Sequence, residues 1–269
     1  MRVHITGERG FIAGHLRREL RGQGHEVTGS DVEAALAPEL VLASEPELVV
    51  HAGAVVGRDL RGLDTQRAVL LNVVSTELLA NACAEAGVRL LYVSSSECAR
   101  PFNLYGLSKK WGEEACELRM PPERLLIARL SMPYGPGHAP GSGRAALTNF
   151  LWAALHDEPL VVHRDSSRSW CWIGDTVRAL ALLCSDRAGV GYYYVGRDDN
   201  EHTMLAVAEL CVEAVPGCTS PIEVVDPPPG YALHKHFRFD RLHALGWRPT
   251  VELEEGIERT LEWLEEREA

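Results

Sequence analysis

The chain has 269 residues, 46% of them hydrophobic and 24% charged, and 38 acidic against 27 basic residues give a net charge of −11. This is the make-up of a globular protein with a sizeable core, and it carries no basic footprint for nucleic acid. Seven cysteines, an odd number without a CxxC pair, point to reduced thiols in a cytoplasmic chain and exclude a disulfide frame or zinc site. Neither a signal peptide nor an apolar run of membrane-spanning length stands out, so no membrane is expected.

Arg2–Thr6 reads as a short buried strand running into Gly7-Glu-Arg-Gly10-Phe-Ile-Ala13-Gly14, and a helix follows with Ile12, Leu16 and Leu20 on one face. Strand, glycine-rich turn and helix make a dinucleotide-binding unit. The glycines let the backbone approach a pyrophosphate, which rests on the helix N-terminus. The alternative is a plain tight turn. The next strand, Glu26–Ser30, ends at Asp31, where a carboxylate accepts ribose hydroxyls and repels a 2′-phosphate, so NAD is favoured over NADP. Asp31 can equally cap the following helix.

Residues 32–46 are short and Ala-, Leu- and Glu-rich, with room for one helix and a weak strand around Leu40-Val-Leu42. Leu48–His51 is a strand leading into Ala52-Gly53-Ala54, and a helical pattern covers Leu70 to Ala86. Arg89–Val93 is another strand, ending in Ser94-Ser95-Ser96-Glu97-Cys98. Tyr105 and Lys109 follow four residues apart, on one face of a helix. An ammonium beside a phenol favours the phenolate, which suits the tyrosine to exchange a proton with an alcohol or ketone. After the strand Leu125–Leu130 the texture changes to a Gly- and Pro-rich loop over Met132–Arg144. Helices near 149–155, 176–184, 204–215 and 254–267 and strands at Leu160–His163 and Gly191–Val195 complete the chain.

The alternation implies an α/β fold: a Rossmann-type, doubly wound parallel sheet with a small C-terminal substrate-binding lobe. The NAD-binding domain spans 1–131, with 176–198 returning to it, and the lobe comprises 132–175 and 199–269. Ligands of such sheets bind at the carboxyl ends of the strands, where Gly7, Asp31, His51, Ser94–Ser96 and Tyr105 all fall.

With these residues assembled, the chain resembles the extended short-chain dehydrogenase/reductase family, the NAD-dependent nucleotide-sugar epimerase/dehydratase group. The likeness rests on Thr6-Gly-x-x-Gly-Phe-Ile, Asp31, His51-Ala-Gly-Ala, Asn72, Ser94-Ser-Ser96, Tyr105-Gly-x-Ser-Lys109-x-x-Gly-Glu113, Tyr134-Gly-Pro-Gly137, Arg168-Ser-Trp, Gly174-Asp175 and Leu245-Gly-Trp-x-Pro249. The resemblance implies Tyr105 as acid/base, Lys109 as its partner and a ligand of the nicotinamide ribose, and Ser96 or Ser95 as hydroxyl partner. At least one of the three serines is expected only to cap the strand end. NAD contacts are implied for Gly7, Gly10, Phe11, Ile12, Asp31, His51, Ala52, Gly53, Asn72, Ser94, Tyr105, Lys109 and Pro133. Substrate contacts are implied for Cys98, Met132, Arg144, Arg168 and His234, with no metal.

The expected reaction is hydride transfer at C4 of a nucleotide-linked sugar, as 4-epimerase or 4-ketoreductase. The alternatives are a dehydrogenase or reductase of a smaller, non-nucleotide alcohol or ketone, and a non-catalytic NAD-binding sensor. Several departures motivate the first alternative. Met132 replaces a common asparagine, Pro228 stands where a second diphosphate-binding arginine is usual, and only eight residues separate Ser96 from Tyr105. His234, Lys235 and His236 either replace the missing charge or form a solvated turn. Cys98, in place of a glutamate, argues against 4,6-dehydration; it is either a proton-transfer group or a small residue packed behind the site. The resemblance also implies a homodimer through the helix after Asn72 and the Tyr105 helix, with Leu79 and Trp111 as candidate contacts.

Overall fold

A computed structural model describes residues 1–56, 65–141, 145–234 and 237–268. Its first elements are β1 (Arg2–Thr6), α1 (Phe11–Gly22), β2 (Glu26–Ser30), α2 (Pro38–Leu42), β3 (Leu48–His51), α3 (Thr65–Val69), α4 (Ser75–Ala86), β4 (Arg89–Ser95), α5 (Leu104–Arg119) and β5 (Leu125–Leu130). Next come β6 (Pro133–Tyr134), α6 (Ala146–Leu155), β7 (Leu160–His163), β8 (Ser167–Ser169), β9 (Cys171–Trp172) and α7 (Ile173–Cys184). The chain closes with β10 (Gly191–Val195), β11 (Glu201–Thr203), α8 (Met204–Ala214), β12 (Ile222–Val225), α9 (Asp240–Ala244) and α10 (Leu253–Glu268). It divides into two units, one of residues 1–130, 176–195 and 240–247, the other of 131–175, 196–239 and 248–269.

The first unit is built on a six-stranded parallel sheet in the order β2-β1-β3-β4-β5-β10. Its strands are apolar on both faces because helices cover both; Val3, Ile5, Leu48, Val50, Leu91 and Ile127 are all buried. The strand order reverses between β1 and β3. At such a switch point two loops leave the sheet in opposite directions, and a crevice forms at the carboxyl ends.

Three expectations need correction. Leu40–Leu42 is not a strand: Pro38 opens helix α2, its fixed φ suiting the first helical position, and Val41 packs into the core. Residues 240–247 belong to the sheet unit and not to the lobe, because Arg241 of α9 donates to the carbonyls of Val190 (2.8 Å) and Tyr192 (2.6 Å) beside β10. The helical run Thr65–Ala86 is, by length and composition, apolar enough to cross a membrane. Within the protein, Leu71, Leu79, Ala80 and Cys83 of that run are buried.

The second unit has its own core. Tyr134, Phe150, Leu151, Trp170, Val207, Ile257 and Leu264 interlock where α6, α8 and α10 meet. Three two-stranded sheets, β7-β12, β8-β11 and β6-β9, lie in the same unit.

Candidate active site

The glycine turn after β1 is set by close approach. Gly7 has φ +68°, and a Cβ on it would lie 2.5 Å from the Cα of Gly53, in the turn after β3. Only glycine tolerates both conditions. Gly10 precedes α1, whose first turn holds neither a side-chain cap nor an acidic residue. Its amides and the positive end of its dipole are thus left for an anion, and the cradle fits a dinucleotide pyrophosphate. Phe11 and Ile12 open this helix half-buried. Asp31 follows β2 and receives the Arg9 guanidinium, with Nε donating to Oδ1 at 2.9 Å and Nη2 to Oδ2.

Two polar side chains expected at the cofactor are instead committed to the frame. His51 is fully buried, its Nδ1 2.7 Å from Thr6 Oγ1 and its Nε2 2.9 Å from Thr76 Oγ1. Burial, with the nearby Lys109 ammonium, pushes the imidazole down to about 3, so it stays neutral. It ties β1, β3 and α4 together and thereby positions Ala52 and Gly53. Asn72 sits in a π-helical turn, Leu70–Val74, between α3 and α4. Its Oδ1 accepts from the Val55 amide at 2.7 Å, and its Nδ2 donates to the Val55 carbonyl and to Ser108 Oγ. Ser108 Oγ in turn donates to the Tyr105 carbonyl at 2.9 Å. The π turn aims one side chain at two elements at once, a recurrent use of such turns.

Helix α5 starts at Asn103, whose Oδ1 caps the Gly106 amide at 2.8 Å. Tyr105, Lys109 and Glu113 recur at four-residue spacing, and all three are buried. Lys109 Nζ donates to the Val93 carbonyl at 2.8 Å and lies 4.5 Å above the Tyr92 ring. Gly112 lets the helix come close, since a Cβ there would collide with Tyr92 Oη. Glu113 gathers a buried network. Arg129 donates to both its oxygens (2.9 and 2.6 Å), Ser94 Oγ donates at 2.6 Å and Cys98 Sγ at 3.1 Å.

The serine run therefore divides. Ser94 is held by Glu113. Ser95 Oγ accepts from the Glu97 amide at 3.2 Å and caps the turn. The Ser96 hydroxyl serves neither purpose. Burial first, then the Glu113 charge, push the Cys98 thiol up to about 12, so Cys98 is a protonated, buried donor to Glu113. Glu97 is also buried and accepts from Asn103 Nδ2 at 3.2 Å.

In the second unit, Met132 has φ +44°, a left-handed conformation rare for its type. Its carbonyl accepts from the Cys171 amide, and Pro133 pairs with Cys171 between β6 and β9. Arg168 is 1% exposed, and its guanidinium donates to the carbonyls of Ser167, Leu233 and Ala232 at 2.6, 2.7 and 2.8 Å. It staples residues 232–233 to β8, so a diphosphate could meet it only after those bonds yield. His234 Nδ1 lies 2.7 Å from Ser167 Oγ. Arg144, Lys235 and His236 lie outside the described residues.

Sequence reading misses Thr6, Thr76, Ser108, Glu113 and Arg129 as participants. Two had a signal: Glu113 extends the Tyr105–Lys109 face by one more turn, and Arg129 interrupts the apolar strand Leu125–Leu130, where a buried charge requires a partner.

Comparison with known proteins bears on this geometry. The chain is 25% identical to dTDP-D-glucose 4,6-dehydratase of Mus musculus, over 81% of this chain and 67% of that protein. It is 26% identical to UDP-glucuronic acid decarboxylase 1 of Danio rerio, over 97% of this chain and 72% of that protein. Its fold is similar to that of Thermus thermophilus UDP-glucose 4-epimerase, solved in complex with NAD, with a TM-score of 0.86 at 23% identity over 98% and 99% of the two chains. The sequence model of the NAD dependent epimerase/dehydratase family matches residues 3–196, most of the chain, and the protein belongs to that family.

Proposed function

We propose that the protein is an NAD-dependent enzyme acting on a nucleotide-linked sugar, as 4-epimerase or 4-ketoreductase. The observation that carries the reading is the buried Tyr105–Lys109 face of α5, anchored at one end by the Asn72–Ser108 bonds and at the other by Glu113. Gly7, Gly10 and the N-terminus of α1 hold the pyrophosphate, Asp31 takes ribose hydroxyls, and Lys109 takes the second ribose. NAD held by these residues would supply the hydride chemistry at the sugar carbon. The Tyr105 phenol takes or gives the hydroxyl proton, and Ser96 donates a hydrogen bond to the same oxygen, stabilising the charge that builds there. Cys98, a protonated thiol committed to Glu113, is no base for elimination, which supports epimerase or reductase over 4,6-dehydratase.

One observation favours a second reading. Glu97 places a buried carboxyl next to Ser96, as a decarboxylase or dehydratase step would use, and the similar proteins include both activities.

Thermal shift with UDP, dTDP and GDP tests the nucleotide. A ligand at 100 times its Kd stabilises by about 2.7 kcal/mol, and no shift with any of them rejects the nucleotide-sugar reading. Turnover then separates the chemistries: NAD retained without net consumption marks an epimerase, cofactor consumed with product a reductase, and carbon dioxide from a UDP-uronate the second reading.

The enzyme is further proposed to be a homodimer. Leu70, Val74 and Leu78 form a half-exposed stripe on the α3–α4 run, and Trp111 is comparably exposed on α5. Leu79, expected at this interface, is instead fully buried in the core beside Cys83. Trp111→Glu should give a monomer by sedimentation; a monomeric wild type removes the proposal.

A further inference from the structure

Strand β4 is apolar from Leu90 to Val93 except for the hydroxyl of Tyr92, a fully buried residue on an interior strand. Its register is fixed on both sides, opposite His51 of β3 and Ile127 of β5. Its side chain lies under α5. The hydroxyl meets Gly112, and the ring face meets Lys109, whose Nζ is 4.5 Å from the ring centroid. A π face is thus set against a buried ammonium, and the proton and hydride steps have no other use for this residue.

Lys109 is 2% exposed, and burial opposes a charged amine. The Val93 carbonyl accepts from Nζ at 2.8 Å. The negative face of an aromatic ring adds to that, and it attracts a cation most strongly where water is excluded. Other ionisable groups beside the pair are committed or uncharged. Glu113, one turn further along α5, is spent on Arg129, Ser94 and Cys98. His51, its ring 5.7 Å from that of Tyr92, is neutral. Burial raises the Cys83 and Cys116 thiols and the Tyr92 phenol well above their ordinary values, so all three stay protonated. Tyr105, one turn back on α5, is the group that gains when Lys109 stays charged, because an ammonium favours a phenolate.

We propose that Tyr92 is a positioning residue: its ring face holds the Lys109 ammonium charged and in place, and through that charge keeps the Tyr105 phenol ready to exchange a proton. This rests on the reading of Tyr105 and Lys109 as the proton-exchanging pair and holds for whatever sugar or alcohol the enzyme turns over. The ring carries the role, and the Tyr92 hydroxyl does not.

The test reads the charge of Lys109 by magnetic resonance in the full chain, without cofactor or sugar, from the isotope-labelled lysine signal that disappears in Lys109→Arg. Tyr92→Phe keeps the ring face and should titrate like wild type. Tyr92→Leu removes the face, and trifluorophenylalanine in place of Tyr92 keeps a ring of similar shape while draining the face of negative charge. Both should ease loss of the Lys109 proton about tenfold, lowering its midpoint by about one pH unit. In the NAD-loaded enzyme, the acid limb of single-turnover reduction should move to higher pH in the same two variants and stay in place in Tyr92→Phe. The fluorinated chain, matched to Tyr92→Phe by thermal unfolding, carries the test should Tyr92→Leu not fold. An unchanged Lys109 midpoint in the fluorinated chain, an equal shift in Tyr92→Phe, or a Lys109 shift that leaves the acid limb where it was overturns the proposal. A wild type that reduces no NAD rejects the reading of the pair, and the Lys109 titration, which needs neither ligand, then decides the role of the ring alone.

Discussion

Arg129 and Arg168 are two arginines set in regular structure, and the chain treats them differently. Arg129, on β5, meets the buried carboxylate of Glu113 edge to edge, and its guanidinium also lies 4.3 Å from the Tyr192 ring centroid. Arg168, on β8, is held by three main-chain carbonyls, with the Tyr231 ring 5.0 Å from its guanidinium. A carboxylate neutralises a guanidinium and fixes it. Carbonyls accept from its Nη groups without cancelling the charge. The first arrangement gives a rigid support for α5 and the strand ends around it, where small displacements matter most to proton transfer. The second keeps a positive charge under a short segment of chain, which suits a place where an anionic ligand displaces protein groups.

The contrast can be broken by substitution. Glu113→Gln should have the largest effect, because it leaves Arg129 and Ser94 without their anion; a loss of about 3 kcal/mol in urea unfolding is expected, near the low end for buried pairs because Arg129 is partly exposed. Adding Arg129→Met should restore much of it, and no recovery would mean the pair is not the unit it looks to be. Arg168→Lys keeps the charge but not the three-way fork and should cost about 2 kcal/mol of lobe stability, the order of one charged hydrogen bond. An unchanged midpoint would show that the carbonyls do not hold the residue.

His51 gives a smaller, pH-dependent effect in the sheet unit. Its folded value is about 3 against 6.5 for the free side chain, so below pH 6.5 the unfolded chain takes up a proton that the folded chain refuses. This contribution is fully present above pH 6.5 and is lost as the pH falls toward 3, at up to about 1.4 kcal/mol per pH unit. His51→Gln should show a shallower dependence between pH 6.5 and 4.5 than wild type. His4, also lowered by burial, supplies part of the remaining slope. The smallest effect is expected in the lobe. Met132→Asn places a residue that tolerates left-handed backbone at φ +44° and should raise stability by up to about 1 kcal/mol. A lower melting temperature would mean that Met132 packing outweighs its backbone strain.

These differences track what was legible in the residues. The doubly wound sheet, the glycine turn and the Tyr105–Lys109 face follow from periodicity and spacing, which are local signals. The partners of His51 and Asn72 were not legible, because Thr6, Thr76, Val55 and Ser108 become neighbours only when β1, β3, α4 and α5 come together. The three serines look alike in sequence, and only Glu113, far along the chain, distinguishes Ser94 from Ser96. Arg168 was read from its place in a motif, and the carbonyls of residues 232 and 233 that engage it carry no side-chain signal at all.

The central claim, that Tyr105 exchanges the proton while NAD carries the hydride, is tested most directly by Tyr105→Phe loaded with NAD. Single-turnover reduction of the bound nicotinamide, followed by its absorbance after addition of the nucleotide sugar that wild type turns over, should slow by about 10²–10⁴-fold with NAD affinity unchanged. A variant that reduces bound NAD at the wild-type rate would contradict the account.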